Sequence, residues 1–372
     1  MASISPSWPE WLPLRTSLRP LTPYGAPQIP DVIRLNTNEN PFEVPASVLA
    51  EMQKNLEKIL PTLNRYPDRD AVQLRSDLAC YINSRSKTAF TLDNIWAANG
   101  SNEILQTLML ACGEKGVLGF LPSYSVHPLI AQVTDTEFFN AARDEDFSVD
   151  VSQAIAVINE RRPSMVFITT PNNPTGTSMP LGDIEQLAQA AAGVGALLVV
   201  DEAYAEFSSE ASAVTLLGAY QNIVVVRTMS KAFAFAGARV GYLVARPEVI
   251  DAALITRLPY HLSSPTQALA IAALACAPAL LAEVDFLIGE RERVARELAT
   301  LGLKPVPSSA NFLIFSGFSM APSELWAELK DRGVLIRDIG IPGYLRVSIG
   351  TAAENDAFLD AVNKSGASQR SS

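Results

Sequence analysis

A mostly parallel α/β sheet covered by helices, followed by a smaller α+β unit, is the architecture this sequence predicts. From about Val32 to Ala245 short β-rich runs alternate with helical patterns, the signature of an open, mostly parallel sheet. Several of those runs are almost continuously apolar, as strands buried on both faces require. From about Pro259 the texture changes to alanine-rich helices and short strands, which marks off the second unit.

Residues 1–35 are proline-rich and irregular and read as an arm. In a large unit, residues 36–258, strands are expected at Ile95–Ala98, Gly116–Leu121, Met165–Thr170, Ala196–Val200, Ile223–Thr228 and Val240–Ala245. Helices fall between them. In Glu103–Cys112, residues Ile104, Leu105, Leu108 and Met109 share one face, and Asp183–Ala192 has the same periodicity. In a small unit, residues 259–363, helices are expected over Thr266–Ala275 and Val284–Leu301. Strands are expected at Phe312–Phe315, Val334–Ile336 and Tyr344–Ile349. A last helix opens on Thr351-Ala-Ala-Glu354, a capping-box pattern. Residues 364–372 are small and polar and read as a frayed tail.

The 372 residues carry 29 basic and 39 acidic side chains, a net charge of −10. Such a balance disfavours a general binder of nucleic-acid backbones, which needs a clustered basic face. It also lacks the basic amphipathic helix of a membrane-surface protein. With 48% hydrophobic and 18% charged residues the chain is far from the disordered class. Cys80, Cys112 and Cys276 each sit in an apolar run and read as core residues, and no Cys/His cluster suggests a metal. Met1 to Pro20 lacks the basic-then-apolar order of a signal peptide. The expectation is a reducing, cytoplasmic location.

The chemistry concentrates where the predicted strands end. Lys231 follows a buried strand in Ser230-Lys231-Ala-Phe-Ala-Phe-Ala-Gly237-Ala-Arg239. A desolvated lysine becomes a nucleophile or Schiff-base former; the same residue equally fits a surface lysine. Arg239 returns to the same pocket if Gly237 allows a turn, and with Ser230 it would clamp a phosphate. Asp201 ends another apolar run, where open α/β sheets bind ligands; it suits a protonated ring nitrogen or a helix N-cap. Tyr204 is placed to donate to a phenolate oxygen. Asn173, in Pro171-Asn-Asn-Pro-Thr-Gly176, lies in a turn and is able to bond a ring substituent. Gly100-Ser101-Asn102-Glu103 lies between strand and helix, a candidate anion nest or an ordinary cap.

Taken together, these motifs resemble those of fold-type I, pyridoxal-phosphate-dependent aminotransferases of class II, and within them the histidinol-phosphate aminotransferases. The resemblance also covers Leu35-Asn-Thr-Asn38-Glu39-Asn40-Pro41, Leu63-Asn-Arg-Tyr66-Pro67 and Tyr344-Leu-Arg346-Val347, and so runs almost end to end. It implies pyridoxal 5′-phosphate as cofactor, with Lys231 forming the internal aldimine and moving the proton in a ping-pong transamination. It pairs Asp201 with the pyridinium nitrogen, and Asn173 and Tyr204 with the ring oxygen. Ser101, Asn102, Ser230 and Arg239 match the phosphate cradle, and Tyr124 the aromatic stacked on the ring. Tyr66 matches a tyrosine lent to the neighbouring subunit, which implies a homodimer with shared sites. Arg346 matches the arginine for the anionic group nearest the reacting carbon. Tyr24, Arg337 and Asn38 complete the substrate set.

The resemblance implies exchange between histidinol phosphate and 2-oxoglutarate, giving imidazole-acetol phosphate and glutamate in histidine biosynthesis. An aromatic-amino-acid transaminase acting on phenylalanine is the main alternative on the same fold. A threonine-phosphate decarboxylase, or the sensing domain of a transcription regulator, stands further off. One departure is His127, where many members carry tyrosine; it lines the pocket or packs beneath the loop. His261 reads as structural.

Overall fold

In the computed structural model, residues 8–367 are described. Beyond an irregular segment with a 3-10 turn at Thr16–Leu18, strand β1 (Ile33–Arg34) leads to helices α1 (Ala46–Ile59) and α2 (Val72–Ser86). Strands and helices then alternate through β2 (Ile95–Ala98), α3 (Ser101–Cys112), β3 (Val117–Leu121), α4 (Val126–Thr134), β4 (Phe138–Ala142) and α5 (Val151–Arg161). The alternation continues with β5 (Met165–Thr169), α6 (Leu181–Gly193), β6 (Leu197–Asp201), β7 (Ile223–Thr228), β8 (Gly241–Val244) and α7 (Pro247–Thr256). Helices α8 (Ser264–Ala275) and α9 (Ala277–Thr300) precede β9 (Lys304–Pro305), β10 (Phe312–Ser316) and α10 (Pro322–Asp331). The described chain closes with β11 (Val334–Leu335), β12 (Arg337–Asp338), β13 (Leu345–Ser348) and α11 (Ala352–Lys364).

Seven strands form the central sheet in the order β2-β8-β7-β6-β5-β3-β4. The pairs from β7 through β6, β5 and β3 to β4 are parallel, whereas β8 runs antiparallel to both its neighbours. Alternate residues of each strand enter two different cores. Leu118, Val166, Ile168, Leu198, Val200 and Val225 belong to one; Val117, Met165, Phe167, Val199, Val224 and Val226 belong to the other. Successive side chains of a strand point to opposite faces, so a sheet clad on both sides needs apolar residues at every position.

A four-stranded antiparallel sheet, β12-β13-β10-β9, follows in the last third of the chain. Here β1 crosses the whole chain length to pair in parallel with β11, Ile33 beside Val334 and Arg34 beside Leu335. The arm bears on α4: the Arg15 guanidinium donates to the Val133 carbonyl, and Gln132 donates to the Ser17 carbonyl at 2.6 Å. The segments 1–7 and 368–372, part of the expected arm and tail, lie outside the described residues.

Some expectations need correcting. Strand β4 was not expected. Its Phe-Phe-Asn-Ala-Ala run is half-exposed at the sheet edge and lacks the unbroken apolar pattern of the inner strands. Helix α9 begins at Ala277 rather than Val284, because Pro278 suits a first turn. Helix α8 begins at Ser264, capped by the Ser263 hydroxyl, which accepts from the Thr266 amide. Cys80 is exposed, not core: Leu74, Leu78 and Ile82 mark the buried face of α2, and Cys80 lies around the helix from them. Cys112 and Cys276 are half-buried. No single helix among the described residues is long and apolar enough to cross a membrane, and no metal-binding cluster occurs among them.

Beneath the ends of β6 and β7 lies a buried ion network. The Arg227 guanidinium donates to Glu202 at 2.7 and 3.0 Å and to Glu206 at 3.1 Å. Ser212 and the Ala213 amide complete Glu202, and Tyr81 donates to Glu206. Removing the single cation of such a group strands two desolvated carboxylates, at a cost of about 3–5 kcal/mol. Arg227→Met should therefore lower the urea midpoint by that equivalent, and adding Glu202→Gln and Glu206→Gln should recover part of the loss. An unchanged midpoint in Arg227→Met would show the network to be energetically idle.

Candidate active site

A cavity of about 630 Å³ opens where β2, β3, β5, β6 and β7 end, all at their carboxyl edges. That is where parallel α/β sheets present ligand sites, because the loops and helix N-termini converge there. After β2, Gly100 takes φ +85°, a left-handed turn that starts α3 with Ser101 and Asn102 at its N-terminus. A Cβ on Gly100 would lie 2.6 Å from Arg239 Nη2, and one on Gly241 would lie 2.4 Å from the Ser101 amide nitrogen. Glycine at both places keeps backbone donors, hydroxyl and guanidinium within one small volume. Arg239 donates to the Ser230 hydroxyl at 3.3 Å and to the Ala236 carbonyl at 3.2 Å. The chain returns to the pocket through left-handed Ala234 and Arg239. Gly237, expected to make that turn, is not left-handed and has open space around it.

Asp201 closes β6 and is buried. Its Oδ1 accepts from the Ala203 amide at 3.2 Å, and its Oδ2 accepts from His127 Nε2 at 3.3 Å. His127 packs beneath the pocket, edge-on to Tyr124 and Phe167, with only 2% of its surface exposed. This decides between the two positions the sequence left open for it. Tyr124 lines the cavity and donates to Asn102 at 3.3 Å. Tyr204 is buried, and burial raises its phenol above the usual range, so it stays a proton donor. Its oxygen accepts from Asn38 Nδ2 at 3.0 Å.

Consecutive residues of one bent segment after β1 reach the remaining groups. The Asn36 carbonyl accepts from Arg346 Nη2 at 2.9 Å, the Thr37 carbonyl accepts from Lys231 Nζ at 3.1 Å, and Asn38 bonds Tyr204. Left-handed Asn38 (φ +55°) is fixed by the Ser348 hydroxyl, which donates to Asn38 Oδ1 and accepts from its amide. Arg346 also donates to Asn173 Oδ1 at 2.5 Å, which leaves the Asn173 Nδ2 donor for a ligand. Its guanidinium lies 5.2 Å over the Phe312 ring, and its buried Nε has no partner. Tyr24 and Arg337 line the same cavity.

Burial pulls the Lys231 ammonium down to about 8. Arg346 and Arg239 add repulsion, and Glu39 opposes the shift. Burial likewise lowers Arg346 to about 10, which leaves it charged at neutral pH.

Of the residues expected to bind cofactor or substrate, Tyr66 alone lies outside the cavity. It is 80% exposed and stacks on Tyr260 at 4.4 Å. His261 donates Nε2–H to the Ala97 carbonyl at 2.9 Å and holds a strand end. No pattern in the sequence marks the carbonyls of Asn36 and Thr37, since a backbone acceptor is available at any residue.

Residues 30–362 match the family model described as aminotransferase class I and II. The chain belongs to that family. Within it, the chain is 54% identical over 353 residues to the histidinol-phosphate aminotransferase of Mycolicibacterium smegmatis, covering 94% of this chain and 92% of the relative. It is 55% identical over 351 residues to the enzyme of the same name from Nocardia farcinica, covering 94% and 90%. The crystal structure of histidinol-phosphate aminotransferase from Sinorhizobium meliloti in complex with pyridoxal-5′-phosphate superposes with a TM-score of 0.78. It is 26% identical and covers 89% of this chain and 90% of that one.

The lowered Lys231 value gives a test on cofactor-free protein. An amine acylates only when neutral, so labelling of Lys231 followed by peptide mass spectrometry should reach half its plateau near pH 8. Surface lysines should follow an ordinary value of about 10.4. A Lys231 midpoint above pH 10 contradicts the desolvated geometry.

Proposed function

We propose that this chain is a pyridoxal-phosphate-dependent transaminase that interconverts histidinol phosphate and its imidazole ketone, with 2-oxoglutarate and glutamate as the second pair. The observation that carries the reading is the convergence of Lys231, Asp201 and Arg239 on one cavity, in a chain whose relatives bear that enzyme's name. The residues present fit the cofactor. Ser101, Asn102, Ser230 and Arg239 form a donor set for a phosphate, in a space that a Cβ on Gly100 would invade. When bound, pyridoxal phosphate supplies an aldehyde carbon and an electron-withdrawing pyridinium ring.

In this reading Asp201, fixed by His127 and the Ala203 amide, holds the proton on the ring nitrogen. Tyr204 and the free Nδ2 of Asn173 donate to the ring oxygen, and Tyr124 covers the ring face. Lys231 would hold the cofactor through its Nζ. When free, its Nζ would be the group that takes up and gives back a proton beside the substrate. Burial lowers this amine from its ordinary value, the direction that a base working near neutral pH requires. Arg346 takes the anion nearest the reacting carbon, a phosphate in one half-reaction and a carboxylate in the other, through its unpartnered Nε and remaining guanidinium hydrogens. Tyr24, Arg337 and Asn38 complete the substrate contacts.

The chain divides, on this reading, into an arm (1–35), a large cofactor domain (36–258), a small domain (259–363) and a tail (364–372), in a cytoplasmic enzyme. A homodimer is part of the proposal. Tyr66, Leu63, Ile255 and Leu258 are exposed apolar side chains, the kind of surface a second copy covers. There Tyr66 would reach the neighbour's cofactor phosphate.

The experiment that tests the activity supplies cofactor and 2-oxoglutarate and compares histidinol phosphate, phenylalanine, tyrosine and threonine phosphate by kcat/KM. Histidinol phosphate should lead; a preference for phenylalanine makes the protein an aromatic transaminase. Borohydride reduction should fix the cofactor to the Lys231 peptide, and an adduct on any other lysine defeats the assignment. For the dimer, mixing Tyr66→Phe and Lys231→Ala subunits should produce hybrids with one intact site and a partial return of activity. A monomer by sedimentation rules the shared site out.

A further inference from the structure

Four cationic side chains line the cavity, Lys231, Arg239, Arg337 and Arg346, against three carboxylates, Asp201, Glu39 and Asp338. The proposed function gives the arginines phosphates and carboxylates to hold, and gives Asp201 the ring nitrogen. It leaves the imidazole of histidinol phosphate without a partner. An imidazole always presents at least one N–H and is a cation in its protonated form. Its complement is a carboxylate, not another arginine.

Two carboxylates remain, and their positions differ. The Asp338 carboxylate accepts from the Gly340 amide at 2.9 Å and so closes its own turn beyond β12. Glu39 stands at the reacting end. Its Oε2 accepts from the Thr37 hydroxyl at 3.0 Å, and the carbonyl of that same Thr37 receives Lys231 Nζ at 3.1 Å. In histidinol phosphate a single methylene separates the ring from the carbon that bears the amine. Whatever recognises the ring must therefore sit within a short reach of Lys231, and the Thr37 bridge places Glu39 there. Thr37 occupies one carboxylate oxygen and leaves Oε1 for a ligand. The electrostatic influence of Glu39 on Lys231 agrees with that proximity.

We propose that Glu39 is the residue that recognises the imidazole ring, and that it favours a nitrogen-bearing ring over a phenyl ring in this cavity. The inference rests on the histidinol-phosphate reading above. A phenyl ring offers no N–H, so only the imidazole substrate gains the charge-assisted bond. Glu39 is an exposed carboxylate, so that bond is worth at most about tenfold in discrimination.

The test uses the holoenzyme and Glu39→Gln, with Asp338→Asn as control. Any effect through Lys231 falls on all substrates alike, so the reading is the ratio of kcat/KM for histidinol phosphate to that for phenylalanine. The ratio should fall by up to about tenfold in Glu39→Gln and stay unchanged in Asp338→Asn. A second measurement avoids turnover. In the pyridoxamine form no amino group can pass to histidinol phosphate, and calorimetry should show its Kd raised by a similar factor in Glu39→Gln. An equal loss for both substrates, an unchanged Kd, or a ratio that moves only in Asp338→Asn overturns the assignment. Wild-type protein that does not turn over histidinol phosphate at all defeats the function itself, which is a separate outcome.

Discussion

Positive charge without a carboxylate partner is the condition that organises this molecule. Lys231, Arg239 and Arg346 converge on one cavity, and the protein answers each with neutral acceptors. The Thr37 carbonyl serves Lys231, the Ala236 carbonyl and Ser230 hydroxyl serve Arg239, and the Asn36 carbonyl and Asn173 amide serve Arg346. Neutral acceptors orient a cation and leave its charge available. Deeper in the fold the opposite rule holds, and Arg227 is neutralised by both Glu202 and Glu206. Arg227 is spent on architecture, and the cations of the cavity keep their charge. Any anion bound there would be coupled to the stability of the fold, because a ligand held only by the folded state stabilises that state by mass action.

The bent segment from Asn36 to Glu39 ties this charge together. Three successive residues bond Arg346, Lys231 and Tyr204, and Asn311 donates to the Asn38 carbonyl from the other side. A helix or strand could not present three neighbouring residues to three different groups in this way. Bends at Asn36 and Thr37 and the left-handed conformation of Asn38 break the alternation of an extended chain here.

The central sheet could be read almost residue for residue, because inner parallel strands must be apolar throughout and the sequence carries that pattern openly. Strand β4 at the edge escaped, since partial exposure removes the pattern. The positions of Lys231 and Asp201 were legible from their place at the ends of buried strands, and that of Arg239 from its spacing after Lys231. The role of Gly237 was misjudged: a glycine advertises freedom that the chain does not use here, while Ala234 and Arg239 take the left-handed conformation instead. The underside of Asp201 was hidden as well. His127 reaches it from another helix across many residues of sequence, and no local pattern announces a contact of that kind. Backbone carbonyls are the limiting case, being chemically identical at every position.

Strand β1 has a consequence for how the chain comes together. Ile33 and Arg34 pair with Val334 and Leu335, so this pairing has no partner until residues 334 and 335 have been synthesised. The segment that follows β1 is the one that grips Lys231 and Arg346. During synthesis the seven-stranded sheet can close first from its own sequential units, since neighbouring stretches meet at little entropic cost. The wall of the cavity waits for the far end of the chain. A nascent protein therefore carries its chemistry unassembled, and residues 33 and 34 find their partners later than the strands of the central sheet.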